Sequence, residues 1–84
     1  MKEQNITVRE KTYVVTELKY SDVTSMAGLP KDEAAKKMVI TSTGISEEEY
    51  NELSAFEGLT ITKEINKLNG FDEEENFQKP VQNE

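Results

Sequence analysis

Apolar and polar residues alternate near the start of the chain. Ile6 and Val8 alternate with polar neighbours, and a run of β-branched and aromatic residues follows at 13–16. Both patterns are typical of strands, and the polar residues 9–11 between them predict a tight turn. The sequence therefore predicts an N-terminal β-hairpin over residues 6–18. Because an isolated hairpin is only marginally stable in water, one of its faces must pack on other elements.

After the hairpin the apolar residues follow a helical spacing. Ser21 is predicted to cap a short helix over 22–27, which would end at Gly28 in the left-handed conformation. Pro30 is suited to the entry of a second helix, since proline is favoured at helix starts. Gly44 is predicted to end this second helix.

Two serines, each followed three residues later by a glutamate, predict two further helix starts. In a capping box the serine hydroxyl accepts from the backbone N–H of the glutamate, and the glutamate carboxylate accepts from the N–H of the serine. Ser46 with Glu49, and Ser54 with Glu57, fit this pattern. The helix that begins after the second serine is predicted to end at Gly70.

The three consecutive glutamates at 47–49 have two interpretations. They form the first turn of a helix, where unpaired backbone N–H groups favour negative charge, or they form a metal-binding or acid/base cluster. The helix start is favoured because carboxylates at successive helical positions point around the axis, and the chain has no histidine or cysteine to act with them. We therefore expect no catalytic, cofactor-binding or metal-binding residues, and no enzyme.

The last predicted helix carries apolar residues on two sides. At about 100° per residue, Ile61, Ile65 and Leu68 lie on one side, whereas Phe56 and Leu59 fall nearly opposite. Either the helix is sandwiched between neighbours of its own domain, or one apolar patch is left for another chain. If the chain binds a partner, the patch of Phe56 and Leu59 is the expected exposed side. Six residues are candidates for the core or for a protein-binding surface: Tyr50, Phe56, Leu59, Ile61, Ile65 and Leu68.

Length and charge place these elements in one small acidic domain. The chain has 84 residues and a formal charge of −7, and this length is near the limit for one adequate core, which favours a partner or self-association into a homo-oligomer. Residues 1–71 are predicted to form a single α+β domain of a hairpin and three to four short α-helices. Residues 72–84 are predicted to be a disordered acidic tail, in which Phe77 and Val81 are either idle or anchors for a partner.

The same composition excludes several classes of protein. The basic residues are scattered, whereas phosphate-backbone binding needs concentrated positive charge, so nucleic acid is not an expected partner. No apolar run approaches the roughly 20 residues of a membrane span, and the basic start lacks the apolar stretch of a signal peptide. The sequence thus predicts a cytoplasmic binding or assembly protein.

Two segments of the sequence contain motifs in the same order as a known protein family. They are YVVTELKYSDV at 13–23 and TSTGISEEEYNELSAFEGLTITKEINKLNGF at 41–71. They resemble the small tail assembly chaperones of long-tailed bacteriophages and prophages, encoded upstream of the tape measure protein. The corresponding residues are Thr16, Glu17 and Leu18; Thr43, Gly44, Ile45 and Ser46; Leu53, Ser54, Glu57, Gly58 and Leu59; and Asn69 with Gly70. The central MAGLPKDEAAKKMV is less typical of that family.

The resemblance implies a role in building the phage tail. Such chaperones coat the long, largely helical tape measure protein, keep it soluble and help to recruit tail-tube protein, and they act in the bacterial cytoplasm and leave the finished virion. Many are made in two forms, the longer by a ribosomal frameshift. Two alternatives remain open: a structural phage protein such as a head–tail connector component, and a small cytosolic protein-binding regulator.

Overall fold

The N-terminal elements form the predicted hairpin, which begins at Glu3, three residues earlier than predicted. A computed structural model describes residues 2–71, in which β1 (Glu3–Val8) and β2 (Lys11–Thr16) pair antiparallel with Val8 opposite Lys11. The connecting turn is Arg9 and Glu10, with φ angles of 49° and 73°. Two left-handed residues are what a two-residue type I′ turn requires. The turn forms without the usual glycine or asparagine.

Four helices follow the hairpin within the described residues. They are α1 (Tyr20–Met26), α2 (Lys31–Thr43), α3 (Glu47–Glu52) and α4 (Ala55–Asn69). The predicted α+β class is therefore confirmed. No helix within residues 2–71 is long and apolar enough to cross a membrane. The predicted tail, with Phe77 and Val81, lies outside the described residues.

The two capping boxes are present as predicted. Ser46 Oγ accepts from the N–H of Glu49 at 3.1 Å, and the Glu49 carboxylate accepts from the N–H of Ser46 at 2.9 Å. The same two distances occur between Ser54 and Glu57. At the other ends, Gly44 closes α2 and Gly70 closes α4, both in the left-handed conformation. The glutamate run at 47–49 is thus the first turn of α3.

The predicted boundaries of α1 were wrong at both ends. The helix begins after Lys19, not after Ser21, because the Asp22 carboxylate accepts from the N–H of Lys19 at 3.3 Å. A carboxylate three residues into the helix satisfies the starting backbone without a capping hydroxyl. At the other end Ala27 keeps a right-handed conformation, and Gly28 has no positive φ.

The core lies between the inner face of the hairpin and the two long helices. Val15 of β2, Val39 of α2, and Ile61 and Ile65 of α4 form one cluster of buried side chains. The hairpin needs such a cover, since two strands alone are marginal in water. Helices α2 and α4 provide it, and α3 contributes half-buried residues at the margin.

Two polar side chains tie the end of β2 to the helices. Ser42 Oγ donates to the carbonyl of Thr16 at 2.8 Å and accepts from the N–H of Thr16 at 3.2 Å, and Thr16 Oγ1 donates to the carbonyl of Ser42 at 2.8 Å. Asn69 Oδ1 accepts from the N–H of Leu18 at 2.9 Å. Ser42 is only 2% exposed. These contacts hold the hairpin on α2 and α4, and neither was predicted from the sequence.

Candidate protein-binding surface

The structure divides the six candidate residues into three groups. Ile61 and Ile65 are fully buried in the core, so they are not available to a partner. Tyr50 and Leu68 are half-buried and pack against that core. Phe56 is 55% exposed and Leu59 is 70% exposed. Only these last two are exposed large apolar side chains on α4.

Phe56 and Leu59 form one patch, which we call the α4 patch. They are three residues apart on the first half of α4, and side chains at this spacing are neighbours on a helix surface. Ile61 and Ile65 point the opposite way, into the core. The helix is therefore covered on one side and open on the other.

An apolar groove adjoins the α4 patch where α2, α3 and α4 meet. Its volume is about 550 Å³, and none of its lining residues is charged. The lining includes Ala35 and Val39 of α2, Tyr50 and Leu53 at α3, and Gly58 and Leu59 of α4. Leu59 belongs to both the groove and the patch. The two features thus make one continuous apolar surface.

Gly58 keeps this groove open. A Cβ atom built at Gly58 meets nothing within 4 Å, so the position faces empty space. Glycine inside a helix costs about 0.5–1 kcal/mol relative to alanine. The chain therefore carries a destabilising residue at the place where a side chain would fill the groove.

Gly58→Ala is expected to separate stability from binding. The free energy of unfolding should rise by about 0.5–1 kcal/mol, because alanine favours the helix. The affinity for a partner seated in the groove should fall about tenfold, since a methyl group there crowds a close contact. Chemical denaturation and titration calorimetry measure the two effects. Gly28→Ala is the matched control, because Gly28 also faces open space but does not line the groove; unchanged binding by Gly58→Ala would show that the partner lies elsewhere.

Acidic residues border the groove on the α3 side. Glu48, Glu49 and Glu52, with Lys11 as the one basic residue, line a second depression of about 640 Å³ between α3 and β2, and Leu53 lines both depressions. Glu49 is already engaged in its capping box. The apolar groove therefore has a negatively charged margin.

An ion pair connects α2 to the start of α3. Lys36 Nζ donates to the Glu47 carboxylate at 2.6 Å. This hydrogen bond, with the attraction between the two charges, lowers the pKa of Glu47 and raises that of Lys36. Exposed pairs contribute little to stability. The ion pair instead orients the first turn of α3 beside the groove.

A cation covers one face of the α4 patch. The Arg9 guanidinium lies 4.9 Å from the centre of the Phe56 ring, within the range of a cation–π contact. The residue directly after Phe56 is Glu57, whose pKa is lowered by the hydrogen bond from the Ser54 N–H and, less strongly, by the nearby Lys11 and Arg9. The hairpin turn thus places a positive charge directly against Phe56.

Within residues 2–71, no group of three or more acidic side chains is placed to hold a metal ion. Comparison with protein-family models, curated proteins and solved structures finds no match. The apolar surface and the resemblance of the sequence motifs are therefore the two features that bear on function.

Proposed function

We propose that the protein is a non-enzymatic phage tail assembly chaperone that binds the tape measure protein and assists tail-tube assembly in the bacterial cytoplasm. The observation that carries the proposal is the α4 patch beside an uncharged groove. The resemblance supplies the identity of the partner. A protein of this kind works by covering apolar surface on another chain and needs no catalytic residues.

The shape of the surface suits a helix. An amphipathic helix binds by laying apolar residues at positions i, i+3, i+4 and i+7 into a groove. Phe56 and Leu59 provide exposed anchors, and Tyr50 and Leu53 provide the wall of such a groove. Covering apolar area is worth about 25 cal/mol per Å² before the costs of association. A long helical protein offers many segments of this kind.

The charges restrict which helix fits best. The groove itself is uncharged, its α3 margin carries Glu48 and Glu52, and the chain as a whole has a formal charge of −7. A complementary segment would present lysine or arginine beside its apolar stripe. The net negative charge would also keep a coated tape measure protein soluble, because like-charged complexes repel one another.

The double variant Phe56→Ala with Leu59→Ala tests the proposal. Co-expression with the long helical protein of the next reading frame, followed by a pull-down, should show binding weakened at least about tenfold and a less soluble partner. The thermal melt followed by circular dichroism should remain nearly unchanged, because both side chains are largely exposed.

Tyr20→Ala is the control for this variant. Tyr20 is 82% exposed on α1 and does not line the groove, so its loss should leave capture of the tape measure protein intact. A large fall in the melting temperature of the double variant would assign Phe56 and Leu59 to the core. Undiminished capture would exclude the α4 patch as the binding surface. Presence of the protein in purified virions would favour a connector subunit over a chaperone.

A further inference from the structure

The hydrogen bonds of the hairpin show which backbone groups face outward. The N–H of Glu17 donates to the carbonyl of Lys2 at 2.9 Å, so these two residues form a hydrogen-bonded pair. Such pairs alternate along an antiparallel ladder. In the observed register, Glu3, Asn5 and Thr7 are therefore the β1 residues whose N–H and C=O groups point away from β2.

Side-chain contacts agree with this assignment. Thr16, which lies opposite Glu3, uses its outward N–H and carbonyl to bond Ser42. Thr7 and Thr12 lie opposite each other with their hydroxyls 3.1 Å apart. Such closeness is typical of a pair that does not exchange backbone hydrogen bonds.

The two edges of the hairpin are not equivalent. The edge of β2 is partly closed, because Ser42 bonds the outward N–H and carbonyl of Thr16 and α2 packs beside that strand. On β1, Glu3, Asn5 and Thr7 are exposed, and their backbone groups have no partner within residues 2–71. Natural edge strands are usually protected by charged side chains, lysine above all, by proline or by a bulge. β1 carries one charged residue, Glu3, but no lysine, proline or bulge over its length.

We propose that the free edge of β1 pairs antiparallel with β1 of a second copy, about a two-fold axis at Asn5. This register engages all three outward-facing residues of both chains, since Glu3 lies opposite Thr7 of the second copy and Asn5 lies opposite its own equivalent. It places no like charges directly opposite each other, which would be unfavourable. Shifting the register by two residues in either direction leaves one outward-facing residue of each chain without a partner.

The dimer extends the sheet from two strands to four. One copy has a sheet of two strands, whose inner face α2 and α4 already cover. Pairing the two β1 edges joins the hairpins into one continuous sheet with both inner faces on the same side. The interface uses none of the residues of the α4 patch, so it is independent of the proposed binding of the tape measure protein.

Single cysteines test the register directly, because the natural chain has none. In Asn5→Cys the equivalent Cα atoms would be about 5.5 Å apart, which a disulfide can span. In Thr7→Cys they would be about 14 Å apart, which it cannot. A mild oxidant should therefore cross-link Asn5→Cys in the full chain and leave Thr7→Cys largely monomeric. Equal cross-linking of both variants, or of neither, would overturn the proposed register.

Proline variants test the edge in solution. Asn5→Pro removes an outward N–H and leaves the hairpin bonds, as edge strands allow. Sedimentation at protein concentrations between about 1 μM and 1 mM should show a dimer dissociation constant at least tenfold higher for Asn5→Pro than for the natural chain. Val14→Pro is the matched control, because Val14 lies directly opposite Asn5 and faces the other edge. A natural chain that stays monomeric throughout, binds only a foreign extended peptide, or loses its dimer through Val14→Pro alone would refute the proposal.

Discussion

Ile61→Ala is expected to lower the free energy of unfolding by about 3 kcal/mol, the largest effect of any substitution considered. Truncation of a fully buried isoleucine loses the transfer free energy of the removed groups and leaves a cavity, for a typical cost of about 2–5 kcal/mol. Ile61 is completely buried against Val15, Val39 and Ile65. Small domains have only about 5–15 kcal/mol of stability in total, so this loss would be a substantial part of it.

Leu59→Ala is the matched control for this prediction. It removes a similar aliphatic side chain from the same helix, but Leu59 is 70% exposed, and such surface changes usually stay within about 0.5 kcal/mol. Urea denaturation of both variants, with comparison of midpoints and slopes, measures the difference. Equal losses in the two variants would mean that α4 does not have one buried and one open side.

Ser42→Ala is expected to cost about 2 kcal/mol, although it removes a single oxygen atom. The change leaves the N–H and the carbonyl of Thr16 without their partner, and an unsatisfied buried group costs about 1–3 kcal/mol. Since Ser42 is 2% exposed, water does not readily replace the lost hydroxyl. The effect should be local at first, releasing the end of β2 from α2.

Amide hydrogen exchange gives the specific readout for Ser42→Ala. The N–H of Thr16 should exchange faster than in the natural chain, beyond the change expected from global stability alone. Thr41→Ala is the control, because Thr41 is the exposed neighbour of Ser42 on the same helix. An unchanged unfolding midpoint, or normal protection at Thr16, would contradict the role given to the serine hydroxyl.

The variants Ile61→Ala and Leu59→Ala test whether α4 has one buried side and one exposed side, which the proposed chaperone function requires. Ile61 and Ile65 hold the helix on the hairpin and on α2, while Phe56 and Leu59 remain outside that core. A variant that unfolds the domain would abolish binding for a trivial reason. The stability of the double variant Phe56→Ala with Leu59→Ala must therefore be measured with its binding, and Ile61→Ala shows how large a loss of stability a core substitution causes.

The two helix starts that have a serine-led capping box were predictable. The pairs Ser46 with Glu49 and Ser54 with Glu57 are three residues apart, so the local sequence contains the whole interaction. The start of α1 was predicted wrongly although its groups also lie within one turn. The helix is capped by the Asp22 carboxylate at its third position. Ser21, which has the side chain of a typical N-cap residue, lies inside the helix instead.

Contacts between distant segments were not predictable in this way. Ser42 bonds Thr16 across 26 residues, and Asn69 bonds Leu18 across 51. Nothing in the local pattern distinguishes Ser42 from its hydroxyl-bearing neighbours Thr41 and Thr43. Burial of that one hydroxyl depends on where α2 meets the end of β2.

By itself, the sequence determined the hairpin, the two capped helix starts and the presence of apolar residues on both sides of the last helix, because these depend on periodicity and on bonds within one turn. Only the tertiary structure decided which side is covered. The hairpin and α2 enclose Ile61 and Ile65, whereas Arg9 lies over one face of the Phe56 ring and Phe56 and Leu59 stay largely exposed. The exposed patch is thus a consequence of the small number of elements that share one core.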